Sequence, residues 1–216
     1  MPVSIVLLLT VIVLLLVIVF ILYRKNKWQN KIIIEVTEEK DRWIILAEVD
    51  ELTKILSRRT FLETVGRMNK QLPVDKNDRR TSRTETLAIL FFDLDHFKDV
   101  NDGFGHEMGD NVLREVAQAA QAVLRDGDII GRLGGEEFGV ALTGIADYRL
   151  REIAEAIRAK VAELTFASGK LRPKVSIGAA TTDQQLERVA DLIKMADDAL
   201  YKAKRGGRNR VEFYEG

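Results

Sequence analysis

The sequence predicts an α+β fold in which helices pack on a central, mainly antiparallel sheet with ferredoxin-like layering. Three patterns lead to this prediction. Residues 87–94 form a nearly unbroken apolar run, which is typical of a buried strand. Residues 138–142 alternate between large and small side chains after two glycines, which predicts a β-hairpin over about 129–142. Apolar residues at helical spacing in 189–203 predict a helix that covers the sheet.

The other elements follow from the same two periodicities. In chain order they are a helix over 50–72, a solvated basic loop over 73–86, a glycine-containing loop with a helix at 112–123, a helix capped by Asp147 that ends near Leu164, and strands at 175–178 and 211–214. These helices are expected to cover one face of the sheet.

The composition excludes several classes of protein. Lys+Arg and Asp+Glu both number 33 among the 216 residues, so the formal net charge is zero. Without a net basic field, we expect no nucleic-acid partner. The absence of cysteine from the sequence excludes disulfides and thiolate metal sites, and two histidines are too few to predict a zinc centre.

An uncharged apolar segment over 3–23 is long enough, as a helix, to reach about 30 Å across a bilayer. It predicts a transmembrane anchor over residues 1–23 in contact with membrane lipid. A cleaved signal peptide is disfavoured, because no basic residue precedes the segment and no small-residue cleavage site follows it. Arg24, Lys25 and Lys27 follow the segment, so the positive-inside rule predicts a single-pass inner-membrane protein with a cytoplasmic globular domain.

Residues 24–49 predict a connector helix between the anchor and a globular domain over 50–216. Apolar residues at 33, 36, 43 and 47 fall at roughly heptad spacing, but Lys40 interrupts the seam. A short parallel coiled coil and a plain amphipathic helix therefore both remain open.

Two acidic motifs carry the main chemical signal. Asp93 and Asp95 end the buried strand, and Glu136 and Glu137 lie in the hairpin turn after two glycines, whose φ we expect to be positive. If the strands are neighbours, three or four carboxylates converge at one edge of the sheet. Such a density requires a cation, and hard oxygen ligands suit Mg²⁺. Each motif alone is more often a solvated turn or a helix cap, but their combination favours a metal site.

Further motifs follow in a fixed order. They are Asp50-Glu51-Leu52-Thr53, Phe92-Asp93-Leu94-Asp95-His96-Phe97-Lys98, Asn101-Asp102, Gly105-His106, Gly109-Asp110, Gly134-Gly135-Glu136-Glu137-Phe138, Ser176-Ile177-Gly178 and Tyr201 to Asn209. Together they resemble the GGDEF domain of diguanylate cyclases, a palm-type α+β domain, over 50–216. Two positions depart from the family pattern, because Lys54 stands where a glycine is usual and Ser57 where an asparagine is usual.

The resemblance implies that two GTP molecules are condensed into cyclic di-GMP with release of two pyrophosphates. It implies that Asp93, Glu136 and the backbone carbonyl of Leu94 hold Mg²⁺, with Mn²⁺ as an alternative. Glu136 is the first candidate for the catalytic base and Glu137 the second. Lys98 would stabilise charge on the transferring phosphoryl group.

The resemblance also assigns the substrate contacts. Asn101 and Asp110 would read the guanine edge, since a carboxylate accepts from N1–H and the exocyclic amine, which adenine does not offer as a pair. His106 would assist at the substrate site, and Lys204 and Arg208 would bind the β- and γ-phosphates. A loop with glycines at 103, 105 and 109 would let the backbone approach the nucleotide.

Arg125 and Asp128 match the spacing of the family's inhibitory RxxD site, where the product cyclic di-GMP would bind. One such domain holds one GTP, so the resemblance implies an active homodimer with two facing domains. The alternative left open is a catalytically silent receptor for GTP or cyclic di-GMP, which the intact set of acidic residues disfavours.

Overall fold

The computed structural model describes residues 20, 22–28, 48–73 and 86–215. The chain divides into two compact units, Met1–Leu46 and Ala47–Gly216. In the first unit, residues 22–28 are helical. The predicted anchor and connector otherwise lie almost entirely outside the described residues.

Within the described ranges, no helix is long and apolar enough to cross a membrane. This finding contradicts the predicted location, so the prediction of a single-pass inner-membrane protein is wrong. The described helical residues 22–28 include Arg24, Lys25 and Lys27, whose charges are costly in hydrocarbon. The predicted contact with membrane lipid is not shown.

The second unit contains a mixed sheet, to which the described residues contribute six strands in the order β1-β3-β4-β2-β5-β6. The strands are β1 (Leu56–Ser57), β2 (Leu87–Leu94), β3 (Ile129–Arg132), β4 (Glu137–Thr143), β5 (Val175–Thr182) and β6 (Val211–Phe213). Central β2 pairs antiparallel with both β4 and β5, and β3 pairs antiparallel with β4. The outer strands β1 and β6 run parallel to their neighbours, so only the centre matches the predicted antiparallel pattern.

Five α-helices flank the sheet in the described part of this unit. They are α1 (Arg58–Asn69), α2 (Phe97–Phe104), α3 (His106–Gln121), α4 (Asp147–Glu163) and α5 (Val189–Arg205), with a short 3₁₀ turn at Ala167–Gly169. Residues of α3 and α4 pack with alternate residues of β2 in one core cluster, and α1 and α5 pack with the others in a second cluster. The expectation that helices cover one face is therefore wrong. All eight residues of β2 are buried, which is why its apolar run is continuous rather than alternating.

The segment before α1 departs from the predicted helix over 50–72. The Asp50 carboxylate accepts hydrogen bonds from the Thr53 amide at 2.8 Å and the Thr53 hydroxyl at 2.7 Å, which closes a turn in place of the first helical turns. The chain then enters β1, and α1 begins only at Arg58. Asp147 is also not a helix cap, because it is the first residue of α4 and Ala146 precedes it without a side-chain cap.

Two close contacts fix helices on the sheet through glycines. A Cβ on Gly178 of β5 would collide with the backbone nitrogen of Leu200 and the carbonyl of Ala196, so α5 lies directly against this strand. A Cβ on Gly131 or Gly139 would lie 2.7 or 2.8 Å from Phe61, which therefore packs α1 onto the β3–β4 hairpin. These contacts set the positions of the hairpin and of the C-terminal end of α5.

Candidate active site

The end of β2 lies beside the turn of the β3–β4 hairpin. Asp93 is the register partner of Glu137, and the Leu94 amide donates to the Glu136 carbonyl at 3.3 Å. The Leu133 amide donates to the Glu137 carbonyl at 2.8 Å and closes the turn. The predicted hairpin is confirmed, and the two acidic motifs are adjacent as expected from the sequence.

The conformation expected for the two turn glycines is wrong. Neither Gly134 nor Gly135 has a positive φ, because four residues connect β3 and β4 and a loop of this length does not need the primed two-residue turn. At Gly134 an added Cβ would lie 2.9 Å from Oε2 of Glu137, the mobile end of an exposed side chain that can move aside.

Asp93 is a buried carboxylate with one direct cationic partner among the described residues. Its side chain is 8% exposed, and Oδ2 lies 2.9 Å from Nζ of Lys204 at the end of α5. Burial raises the pKa of Asp93, and the Lys204 ammonium lowers it by less, while Glu137 and Asp95 add to the rise. The structure thus brings together two residues that lie more than a hundred positions apart in the chain.

Glu136 is half-buried in the same group. Burial is the main cause that raises its pKa, and the charge of Asp93 adds to the rise, while Lys204 opposes it. The charge of Asp93 therefore repels that of Glu136, and the Lys204 ammonium acts on both carboxylates. Glu137, by contrast, is exposed.

The carboxylates converge as predicted, since the charges of Glu137 and Asp95 act on Asp93 and the charge of Asp93 acts on Glu136. Among the described residues, however, no group of three or more His, Cys, Asp or Glu side chains is placed to hold a metal. Asp95 explains the difference. Its Oδ1 accepts from the Ser176 hydroxyl at 2.7 Å and its Oδ2 from the Asn209 amide at 2.9 Å. Asp95 therefore fixes the loop after α5 to the sheet. This positioning role could not be distinguished in the sequence from a metal-binding role, because Asp95 lies so close to Asp93.

The predicted guanine and phosphate contacts lie along the α2–α3 corner and after α5. Asn101 packs against Gly109, where a Cβ would overlap its amide oxygen, so this glycine makes room for the asparagine. His106 is the first residue of α3, and Asp110 is exposed one turn further on. Lys98 is exposed on α2 and has no ion pair with the residues that the structure describes.

The glycine loop predicted at 103–109 is two helices with a break. Gly103 lies in α2 and Gly109 in α3, and only Gly105, with φ of 85°, separates them. After α5, the chain turns through Arg208, which is exposed with φ of 62°, and its amide donates to the Ala203 carbonyl at 3.1 Å. The structure thus brings Lys204 to the carboxylates, while Arg208 lies four residues beyond it.

A second charged group supports the same turn from the other side. Arg132 donates through NH1 to both oxygens of Asp50 at 3.2 and 3.3 Å, and through NH2 to the Gly135 carbonyl at 2.8 Å. The Thr53 hydrogen bonds and Arg132 outweigh the effect of burial and hold the pKa of Asp50 below its ordinary value. The sequence did not predict a role for Arg132, although its partner Asp50 belongs, with Thr53, to one of the family motifs.

Arg125 and Asp128 line a separate cavity of about 480 Å³ between the segment before α1 and the segment before β3. Nε of Arg125 lies 3.4 Å from Oδ1 of Asp128, whose side chain is 2% exposed. NH2 of Arg125 also donates to the Thr143 carbonyl at 2.7 Å. The turn between them uses Gly127 with φ of 95°.

A profile described as "Diguanylate cyclase, GGDEF domain" matches residues 47–210. The chain belongs to the GGDEF diguanylate cyclase family. Diguanylate cyclase DosC of Escherichia coli K12 is 39% identical over 190 residues, which cover 85% of this chain and 38% of that protein. The chain thus spans well under half the length of this curated relative.

Solved structures agree with this GGDEF assignment. The GGDEF domain of DgcB from Caulobacter crescentus, in complex with c-di-GMP, has a TM-score of 0.69 and 32% identity, covering 79% of this chain and 97% of that one. The active GGEEF domain of a diguanylate cyclase from Vibrio cholerae has a TM-score of 0.66 and 32% identity, and the match covers 74% of this chain and 97% of that one. The comparisons confirm the predicted family and a palm-like α+β fold with a mixed sheet. They do not favour a catalytically silent receptor.

GGDEF diguanylate cyclases are generally dependent on a divalent metal, and the sheet edge offers donor atoms of the type that such an ion prefers. Asp93 and Glu136 offer hard oxygen donors from two rigid elements, and their burial and mutual repulsion leave negative charge in need of compensation. Positive charge is favourable at this position, since the Lys204 ammonium already lies at hydrogen-bond distance from Asp93.

Proposed function

We propose that this chain is a diguanylate cyclase that condenses two GTP molecules into cyclic di-GMP and releases two pyrophosphates. The observation that carries the proposal is the buried Asp93 beside half-buried Glu136, with Lys204 2.9 Å from Asp93. Transfer of a nucleotidyl group depends on fixed charges that align and neutralise phosphates more than on covalent chemistry by the protein. The similarity to DosC and to the active GGEEF domain from Vibrio cholerae supports the same function.

Asp93, Glu136 and the backbone carbonyl of Leu94 would hold Mg²⁺, with Mn²⁺ as an alternative. When bound, the ion supplies charge that polarises the phosphate oxygens. The protein contributes rigidity, since Asp93 belongs to the fully buried β2 and the turn that carries Glu136 is tied to Leu94. Carboxylates fixed before the substrate arrives need no reorganisation during the reaction.

The reaction consists of two equivalent transfers. In each, the 3′-hydroxyl oxygen of one GTP forms a bond to the α-phosphorus of the other, and the bond from that phosphorus to the bridging β-phosphate oxygen breaks, which releases pyrophosphate. Glu136 is the first candidate to accept the hydroxyl proton, because it lies half-buried beside Asp93, whereas Glu137 is exposed and is the second candidate.

Three cations would bind the triphosphate. Lys204 and Arg208 lie at and after the end of α5, and would contact the β- and γ-phosphates. Lys98 at the start of α2 would stabilise charge on the transferring group. The Asp95 contact to the Asn209 amide supports this role, because it holds the loop that carries Arg208.

The α2–α3 corner would bind the guanine base. Asn101 offers both a donor and an acceptor, and Asp110 offers acceptors for N1–H and the exocyclic amine, a pair that adenine lacks. The packing of Asn101 on Gly109 supports this role, because it limits the positions that the amide can adopt. His106 at the start of α3 would assist at the same site.

Product formation requires two substrates, and one domain offers one such site, so we expect an active homodimer with two facing domains. Cyclic di-GMP would inhibit the enzyme through Arg125 and Asp128. The cavity beside these two residues supports this role, because the buried Asp128 fixes the exposed guanidinium of Arg125 at its edge.

The test is incubation of the purified 216-residue chain with GTP and Mg²⁺, followed by nucleotide chromatography and mass analysis of the product. We expect cyclic di-GMP and pyrophosphate from the wild type and from Glu51→Gln, a matched change at an exposed glutamate away from the sheet edge. Asp93→Asn and Glu136→Gln should form little product. GTP binding without product in the wild type would contradict the proposal and indicate a receptor.

A further inference from the structure

We propose that Lys54 is a binding residue of the cavity lined by Arg125 and Asp128, where it provides a second cation for the phosphates of cyclic di-GMP. This inference rests on the proposed product site and adds to it a residue that the RxxD pattern does not contain. The backbone conformation of Lys54 is unusual for a lysine.

Lys54 adopts φ of 62°, in the left-handed region that a residue with a Cβ rarely occupies. The conformation is fixed locally, because the Lys54 amide donates to the Asp50 carbonyl at 2.9 Å inside the turn that Asp50 and Thr53 close. Glycine is the residue that this backbone favours. A lysine that persists at a strained position needs a reason outside the turn.

The fold supplies no such reason. The side chain of Lys54 is exposed, and it forms no ion pair with the residues that the structure describes. Its side chain therefore does not stabilise the turn, which is held by Asp50, Thr53 and Arg132.

The cavity does supply a reason, because Lys54 lines it together with Arg125 and Asp128. The charged residues around it are Lys54, Arg125, Asp126 and Asp128, so the formal charges balance only with the lysine present. Without Lys54 the lining would carry a net negative charge, which is unfavourable for a ligand with two phosphodiester anions.

Arg125 alone has limited capacity for two phosphates. Its Nε is directed to Asp128 and its NH2 to the Thr143 carbonyl, which leaves only part of the guanidinium for a ligand. A lysine on a flexible stem is a suitable second cation, since it acts as a point charge with three rotatable donors.

The experiment measures binding of cyclic di-GMP to the full 216-residue chain by isothermal titration calorimetry, together with thermal unfolding without ligand. Lys54→Gln keeps a long polar side chain and the strain but removes the charge, and we expect about tenfold weaker binding with little change in melting temperature. Lys54→Arg should bind as the wild type does. The loss in Lys54→Gln should shrink at high salt, because the contact is electrostatic and exposed.

Lys54→Gly separates the two effects of the lysine. It should weaken binding at least as much as Lys54→Gln does, yet raise the melting temperature by about 2–4 °C because the strain is relieved. Lys170→Gln, at an exposed lysine that does not line the cavity, should change neither quantity.

Arg125→Ala distinguishes the inference from the function on which it rests. If Arg125→Ala loses binding while Lys54→Gln binds as the wild type does, the Lys54 contact is refuted and the product site stands. If the wild type binds no cyclic di-GMP, or Arg125→Ala binds unchanged, the product site itself is refuted and the Lys54 contact with it.

Discussion

The two charged groups that support the hairpin turn differ in how their carboxylates are satisfied. Asp50 has Thr53 and Arg132 as partners, and its pKa is lowered. Asp93 lies in a more buried place, where Lys204 is its one cationic partner within the described ranges, and burial is the main cause that raises its pKa. Both groups approach the same few residues, since Arg132 binds the Gly135 carbonyl and the Leu94 amide binds the Glu136 carbonyl.

The difference separates structural charges from functional ones. A carboxylate whose partners compensate its desolvation stabilises the fold that surrounds it. A carboxylate that is buried with too little positive charge near it lowers the stability of the free protein. A cationic or polar ligand restores that stability when it binds. The Asp50 and Arg132 group therefore supports the turn, and the contrast favours the proposal that the Asp93 and Glu136 group is a site prepared for a ligand.

The largest effect is expected for Glu136→Gln, which tests the functional side of this comparison. Catalytic activity should fall by about 10³-fold, because the turn loses the first candidate for the proton acceptor and one proposed metal ligand. The free energy of unfolding in metal-free buffer should not fall, because the change removes a half-buried charge that Asp93 repels. The measurements are initial rates and urea unfolding. A large loss of stability would show that this carboxylate is structural.

The next effect is expected for Gly178→Ala, which tests whether packing places Lys204 at Asp93. The added Cβ would meet backbone atoms of Leu200 and Ala196, so α5 must shift, and we expect a loss of about 1–3 kcal/mol in unfolding free energy with reduced activity. Gly66→Ala is the matched control, because Gly66 lies in α1 with open space around it. That control should raise stability by about 0.5–1 kcal/mol. Unchanged stability in Gly178→Ala would refute the close packing.

The smallest effect is expected for Asp50→Asn, which tests the structural side. The loss of charge-assisted bonds to Arg132 should cost about 1–2 kcal/mol of unfolding free energy at pH 7, with activity reduced only through the looser turn. Glu51→Gln, at the adjacent exposed carboxylate, should leave stability unchanged. A loss of activity without loss of stability would contradict the assigned role.

The pH dependence of Asp50→Asn provides its internal control. The folded-state pKa of Asp50 lies below its ordinary value of 3.8, so the ionised carboxylate stabilises the folded protein above that pH. This contribution is lost as the pH falls through the folded-state pKa. The difference in unfolding free energy between wild type and variant should therefore be full at pH 7 and shrink below about pH 4.

The sequence predicted well what depends on local pattern. The run at Leu87–Leu94 and the hairpin follow from strand periodicity and glycine placement, whereas the adjacency of Asp93 to the Glu136 turn was expected from the family resemblance. The family motifs identified the domain.

What the sequence could not predict depends on side chains that meet across the fold. Asp95 has the same residue type and neighbourhood as Asp93, yet it bonds to Ser176 and Asn209, because β5 and the loop after α5 meet there. The continuous apolar run of β2 could have predicted that helices cover both faces of the sheet. The pairing of Arg132 with Asp50 could not be predicted, because 82 residues separate them in the sequence.

β2 lies between β4 and β5 and is covered on both faces, which determines how the domain loses its candidate site on unfolding. Amide protons in such a strand exchange with solvent only when the whole domain opens, whereas those in peripheral loops exchange through local fraying. The backbone at Asp93 should therefore be among the slowest to take up deuterium, and heat or denaturant should abolish turnover and global folding in one transition.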